Sequence, residues 1–594
     1  MNWSRERHRY VALLLAIAIA DFTAGRAPAE AAGFSLMSRR RSASIRSLRA
    51  ALATQGIDPS ASDMFDQELN GDQPAPGDSS ALPLRLTPLS HEWRAGRQFR
   101  MRLGAWLLRA AATALLFGIP IVASHSESFA KVITALMFAA VVGIMVLLPP
   151  GEAAIIVALY FVMQRWLFIH FPPEGILGHV IIYLGTALQL IIFAGFCLRA
   201  IIQQRPLLRS GFILWPASLY IVISVLSMWF NQVSPSVALL GTEHTLHNLI
   251  FVVLIAEDLP TPVQLRRYTG FILAALSLFA ALSIVKTGFA FHWLGLHVTS
   301  ALTFFAATGV PVSVVEPDPN SYAYLLNFGI LLALAVFVSL NTEQNDFGDD
   351  IQTPTALNVA LLGALGLLTI AEFLTASPEN WVGLVTGVIA LGIIFRGRLW
   401  YVVGGFLALL VGLSFVPFSA TPGLRAVTLF ARVQAIASGQ LPHNAPLAKS
   451  LDLVLSHPLF GVGPGRFGGT VAFITHSPIY AHYGFSHHNT PITSINLFWL
   501  HIAGETGIIG LGIFLWLMFL TERTIWQAYY KGAHRQWHGI TAGVFGIVIA
   551  MSIATFFGNA LEIDSLSAPF WGLVGIAVAL PLANRPLITE VMPA

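Results

Sequence analysis

Long apolar runs separated by short polar ones recur along the chain from about residue 103 to residue 583. About 20 consecutive apolar residues are what a helix needs to cross the hydrocarbon of a bilayer. Windows of this kind fall near 103–124, 131–149, 152–171, 175–198, 211–230, 244–257, 268–285, 321–340, 357–375, 380–396, 399–418, 494–520, 538–558 and 566–583. Several are short or carry polar residues, so the pattern predicts about 12–14 transmembrane helices and an all-α polytopic membrane protein.

Composition agrees with the pattern. Of 594 residues 55% are hydrophobic and 11% charged, with mean hydropathy +0.70, whereas soluble domains carry about 25% charged residues. The single cysteine, Cys197, lies inside an apolar run, which excludes an intrachain disulfide and a cysteine-based metal site. The formal net charge of +3 says little alone. The placement of the positives says more, because alternate loops carry Arg199, Arg205 and Arg209, then Arg266 and Arg267, Arg396 and Arg398, Arg523, Lys531 and Arg535, and finally Arg585. The excess of Lys and Arg marks the cytoplasmic side. One loop on that side is acidic, with Glu343, Asp346, Asp349 and Asp350, and acidic residues weigh little in the rule. The segment 419–490 then falls on the outer side.

The chain divides into an N-terminal segment 1–100, a first membrane block 101–418, the outer loop 419–490 and a C-terminal membrane block 491–594. For the N-terminal segment two readings stand. A basic start and the short apolar core 10–24 resemble a secretory signal, and the basic "SRRRSASIRSLRAALATQ" followed by a stretch rich in Ser, Asp, Gly and Pro reads as a disordered cytoplasmic tail with 10–24 as an interfacial helix.

The local signatures of a phosphate-cradling loop, a zinc protease helix and a serine nucleophile elbow do not occur. Candidate chemistry gathers instead in the outer segments. In "TPGLRAVTLFARVQAIASGQ" (421–440) apolar Leu424, Val427, Phe430, Val433 and Ile436 follow helical spacing, and Arg425 and Arg432 fall two turns apart on one face. Two guanidiniums so held suit a pyrophosphate, and they equally suit lipid headgroups. "LSHPLFGVGPGRFGG" (455–469) surrounds Arg466 with glycines, which permit close backbone approach or simply a loop. Seven of the chain's 18 histidines, at 443, 457, 476, 482, 487, 488 and 501, crowd into one stretch, and imidazole takes a proton near neutral pH. His482, His487 and His488 lack the spacing of a helical metal-ligand pair, and no metal is expected there. "VEPDPNSYAYLL" (315–326) places Asp318 and Asn320 before a span, as helix caps or as cleft residues. Arg109, Arg165 and Glu372 inside spans must face protein or water, and Glu243, His244 and His247 at an outer span end are candidates for the wall of a cleft.

"SHPLFGVGPGRF", then "HN", then "GETGIIGLGIFL", together with "PDPNSYA", resemble the signature of the O-antigen ligase and Wzy-type polysaccharide polymerase superfamily, most clearly over about 415–520. The resemblance implies a GT-C-like helical fold with a helical periplasmic loop domain in the bacterial inner membrane. It also implies metal-independent, cofactor-free transfer of a glycan from an undecaprenyl-pyrophosphate-linked oligosaccharide donor to a sugar hydroxyl at the periplasmic face. Three positions depart from the family pattern: Asn496 stands where a histidine is usual, His443 where an arginine is usual, and "TASPEN" (375–380) lacks its arginine. The residues present give His488 or His487 as the base, with Glu505 orienting a histidine or a sugar. They give Arg432, Arg425 and Arg466 as the pyrophosphate site, and Asp318, Asn320, Asn489 and Asn496 as the substrate cleft. A polymerase for an exopolysaccharide or O-antigen repeat is the first expectation. Alternatives are a ligase acting on a lipid A core acceptor and a non-catalytic or transport component of polysaccharide export. Expected partners are the lipid bilayer, the glycan or lipid A core acceptor, and flippase, chain-length or export proteins. No nucleic acid is expected.

Overall fold

The computed structural model describes residues 108–583 with gaps at 117, 120–127, 171–182, 203–209, 259–261, 294–318, 347–354, 376, 396–399, 416, 419–426, 429–443, 488–489, 492–496 and 532–537. After a helical stretch at 108–116, the helices are α1 Ser128–Leu147, α2 Pro150–His170, α3 Leu184–Ile202, α4 Gly211–Phe230, α5 Pro235–Leu246, α6 Leu249–Asp258, α7 Pro262–Trp293, α8 Pro319–Asp346, α9 Thr355–Thr375, α10 Pro378–Ile394, α11 Trp400–Ser414, α12 Asn444–Ser456, α13 Thr470–Ile474, α14 Pro478–His482, α15 Phe498–Lys531, α16 His538–Ala554 and α17 Asp564–Ala583. Among the described residues the only strands form two antiparallel ladders of two residues each: β1 Pro417–Phe418 with β2 Val427–Thr428, and β3 Ser486–His487 with β4 Thr490–Pro491.

Among the described residues six helices are long and apolar enough to cross a membrane, seven spans if the pair α5 and α6, bent by 49° across a short break, counts as one. Six further apolar helices are shorter. The chain is therefore a helical, multi-pass membrane protein. Every backbone group in hydrocarbon must be satisfied internally, which is why each apolar run contains helix among the described residues.

The buried centre of the bundle is α8, whose residues from Ser321 to Ala335 are all inside. It packs against α9 and α16; α16 also lies along α10, while α17 is held between α2 and α6, and α15 runs along α4. The α10–α16 contact is close because its residues are small. A Cβ on Gly383 would stand 2.8 Å from the Ala550 carbonyl oxygen, and one on Gly387 2.9 Å from that of Gly546. Small residues four apart let two helix backbones approach without a hydrophobic drive between them.

Polar ties fix which helix ends lie together. At one end Asn380 donates to the Asn320 carbonyl at 3.0 Å, Tyr324 to the Ala554 carbonyl at 3.1 Å, and Trp499 to the Ser552 carbonyl at 3.1 Å. These bonds gather the start of α8, the start of α10, the start of α15 and the end of α16. At the other end Arg109 makes a two-pronged contact with Glu152 at 2.7 and 2.8 Å, and Gln264 donates to the same carboxylate at 2.9 Å. Arg109 thus faces protein, as a charge in a span must. Glu372 is fully buried in α9, with no hydrogen-bond partner for either oxygen among the described residues.

Two expectations are corrected here. The segment 421–440 is not one continuous helix, because Val427–Thr428 is extended and pairs with Pro417–Phe418. A β-branched pair beside an available strand edge gains ladder bonds that outweigh a weak helical pattern. The argument that Arg425 and Arg432 share a helical face falls with it; both residues lie outside the described set. The outer loop is likewise mixed rather than purely helical, with α12, α13 and α14 interspersed with turns and the two short ladders.

Candidate functional site

Helix α15 does not run unbroken. At Gly507 the backbone turns to φ 70 and ψ −172, which separates a first segment bearing His501 and Glu505 from the long segment that follows. Such a φ is open to glycine and strained for other residues. A break of this kind frees backbone groups that would cost several kcal/mol if left unpaired in an apolar setting. The glycine-rich loop supplies the missing partners. Val462 N–H donates to the Gly504 carbonyl at 2.8 Å, Gly463 N–H to the Glu505 carbonyl at 3.0 Å, and Ile508 N–H to the Pro458 carbonyl at 2.8 Å. The Ser227 hydroxyl of α4, 2.5 Å from the Phe460 carbonyl and 2.9 Å from that of Glu505, ties a third element to the junction.

The loop's far side is held by a small core of its own, built from Leu453, Val462, Phe467, Ala472, Tyr480 and Phe485. Phe467 stacks on Tyr480 with ring centres 6.2 Å apart. The Tyr480 hydroxyl accepts from Gly468 N–H at 2.8 Å, and burial pushes its phenol above the ordinary range, keeping it protonated.

Beneath this loop lies a row of titratable groups. Phe467 N–H donates to Glu505 Oε1 at 3.0 Å, and Glu505 Oε2 stands 3.2 Å from His501 Nε2, one turn back on the same helix. The other ring nitrogen, Nδ1, lies against Glu562 in the short turn Ala560–Glu562 that precedes α17. Asn559 donates to the second Glu562 oxygen at 2.5 Å. His501, Glu505 and Glu562 are 4%, 2% and 2% exposed. Both ring nitrogens face carboxylates, so pairing on both sides requires an imidazolium or one protonated carboxyl. The loop comes so close that a Cβ on Gly468 would strike the His501 ring and one on Gly469 the Glu562 carboxylate.

A narrow cleft opens beside this row, lined by the loop glycines, Gly241 and His244 of α5, His501, Glu505 and Glu562. Next to it, where α5 bends into α6, His247 Nε2 meets Asp564 Oδ1 at 2.8 Å and Asn248 donates to the same oxygen at 3.2 Å. The cluster offers three imidazoles, His244, His247 and His501, and three carboxylates, Glu505, Glu562 and Asp564, within one region, enough to move a proton, hold a sugar hydroxyl or take a cation.

Of the residues expected from sequence, Glu505 lies in the cleft and faces His501. His244 lines the cleft, as the span-end grouping suggested. Arg466 belongs to the same loop but is not among the cleft residues; its guanidinium donates to the Asn231 carbonyl at 3.3 Å, at the end of α4. Asn320 is exposed in the first turn of α8, at the same end of the bundle and outside the cleft lining. His487 is in β3. His488, Asn489, Asn496, Asp318, Arg425 and Arg432 lie outside the described residues. Sequence reasoning gave no role to His501, Glu562 or Asp564. His501 and Glu505 stand four apart on a helix, which was a readable signal. The two acids sit in a short polar gap between spans with no local pattern to announce a partner.

Comparison with known protein families found no family model that matches the chain, and no curated protein matches it.

Proposed function

We propose that this chain is a polysaccharide polymerase of the bacterial inner membrane. It transfers a glycan from an undecaprenyl-pyrophosphate carrier to a sugar hydroxyl at the periplasmic face. The observation that supports this reading most is the interlocking of "HPLFGVGPGRF" with "GETG": two stretches that carry the family resemblance bond backbone to backbone and enclose Glu505.

The acceptor oxygen attacks the anomeric carbon, a new C–O bond forms, and the bond from that carbon to the pyrophosphate oxygen breaks with its electron pair leaving on the phosphate. The hydroxyl proton passes to a histidine, His488 or His487 in this reading, a contribution worth roughly 10²–10⁴ in rate. Arg432, Arg425 and Arg466 offset the charge that develops on the leaving pyrophosphate. The row Glu505–His501–Glu562 holds the glycine-rich loop in place, so that Arg466 and the segment leading to His487 are presented from a fixed base.

The test is direct. The purified chain in lipid discs is given a lipid-linked repeat unit, with and without lipid A core, and products are resolved by mass and gel. Longer lipid-linked polymer is the expected product, lost on His488→Ala or Arg432→Ala. Glycan joined only to the core would make the chain a ligase. Full activity in both variants would overturn the roles given to these residues.

A further inference from the structure

We propose that Glu243, His244 and His247, at the bend between α5 and α6, form a binding site for a divalent first-row transition ion such as Zn²⁺, with Asp564 holding His247 from behind. The transfer chemistry proposed above uses no metal, so this inference stands apart from it.

The three side chains each offer a ligand atom, and these atoms lie within 4.8 Å of one another. The rings of His244 and His247 are nearly parallel, 27° apart in plane with centres 5.7 Å apart. The orientation of His247 carries the argument furthest. Its Nε2 is 2.8 Å from Asp564 Oδ1, and that oxygen is anchored in turn by the Asn248 amide at 3.2 Å. Nδ1 is the nitrogen turned toward Glu243: its N–H donates to the Glu243 backbone carbonyl at 3.0 Å and stands 4.0 Å from Oε1, so an ion binding here takes the place of the Nδ1 proton while Nε2–H stays with the Asp564 carboxylate. A carboxylate behind a ligand histidine, fixing its tautomer and ring plane, is the usual outer support of a metal site. His247 is buried, which holds that geometry against solvent.

His244 supplies a second, separate sign. Its Nε2 is buried and has no hydrogen-bond partner among the described residues. Buried ring nitrogens are almost always paired, so an orphan calls for a missing partner. Two imidazoles and a carboxylate are the donor set of Zn²⁺, Fe²⁺ and Mn²⁺ sites, and three protein ligands leave a coordination position open. His244 borders the cleft, so an ion held here would sit in its wall.

The full-length protein, purified through a tag free of histidine, is stripped with EDTA, equilibrated with Zn²⁺, desalted and assayed by elemental mass spectrometry. Co²⁺ serves as a visible-absorption probe of nitrogen ligation. The expected result is about one ion per chain, as for a single set of three protein ligands. Uptake is abolished in His244→Ala and in the near-isosteric Glu243→Gln. Affinity falls about 10–100-fold in Asp564→Asn, the usual effect of losing an outer partner. His482→Ala, an exposed histidine of the loop, binds as the parent does. Parent protein that retains no ion, or Glu243→Gln and His244→Ala proteins that retain as much as the parent, overturns the site. Should His244→Ala fail to fold by thermal unfolding, Glu243→Gln alone decides.

Discussion

A histidine wedged between two buried carboxylates sets the terms for everything around it. His501 is the ring that pairs with both Glu505 and Glu562, and removing one member of such a buried ionisable set leaves the others uncompensated. His501→Ala is expected to lower stability by about 3–5 kcal/mol, read as a large fall in thermal midpoint in detergent. Tyr480→Phe removes the hydroxyl that accepts from the Gly468 N–H and donates to the Gly468 carbonyl at 3.3 Å, and is expected to cost about 1–3 kcal/mol. At this scale the sequence was half legible. Glu505 stood out by its place at the start of a long span, whereas His501, four residues before it on the same helix, received no role. Glu562 lies 57 residues beyond Glu505 by position number, and its partnership comes only from how α17 packs. The pairing of Arg109 with Glu152, 43 residues apart, was hidden for the same reason.

Among elements, the apolar windows read well because a helix in hydrocarbon has no competing conformation; each predicted window overlaps a helical stretch in the described residues. Outside the hydrocarbon that constraint is gone, and Val427–Thr428 took strand pairing over the helix its spacing suggested. The window 494–520 predicts one continuous span; the break in α15 at Gly507 and its bonding to the loop go beyond that reading. Gly507→Ala places a Cβ against the Leu459 carbonyl on a left-handed backbone. The loop is then expected to detach, and limited proteolysis should cut between residues 457 and 470 much faster than in the parent, with the spans left intact.

For the molecule as a whole, the two ends of the bundle differ in kind. One carries Arg109, Glu152 and Gln264 in a compact polar clamp; the other carries the glycine-rich loop, the cleft and the bend of α5 and α6. The function proposed above needs the first end on the cytoplasmic side and the second on the far side, as the distribution of Lys and Arg along the sequence predicts. In a Cys197→Ser background, Ile474→Cys should react with an impermeant maleimide added outside spheroplasts, and Arg266→Cys only after lysis; both parent residues are exposed. The opposite pattern would invert the orientation and remove the periplasmic assignment with it.

The bonds from Val462, Gly463 and Ile508 make the loop and the interrupted helix a single mechanical body. Peeling the one from the other would strand several amides and carbonyls at once, so a partial opening gains nothing. Amide exchange at these three positions should therefore be uniformly slow and collapse together. A substrate must be admitted by parts of the protein on either flank, while this hairpin acts as the fixed jaw against which they close.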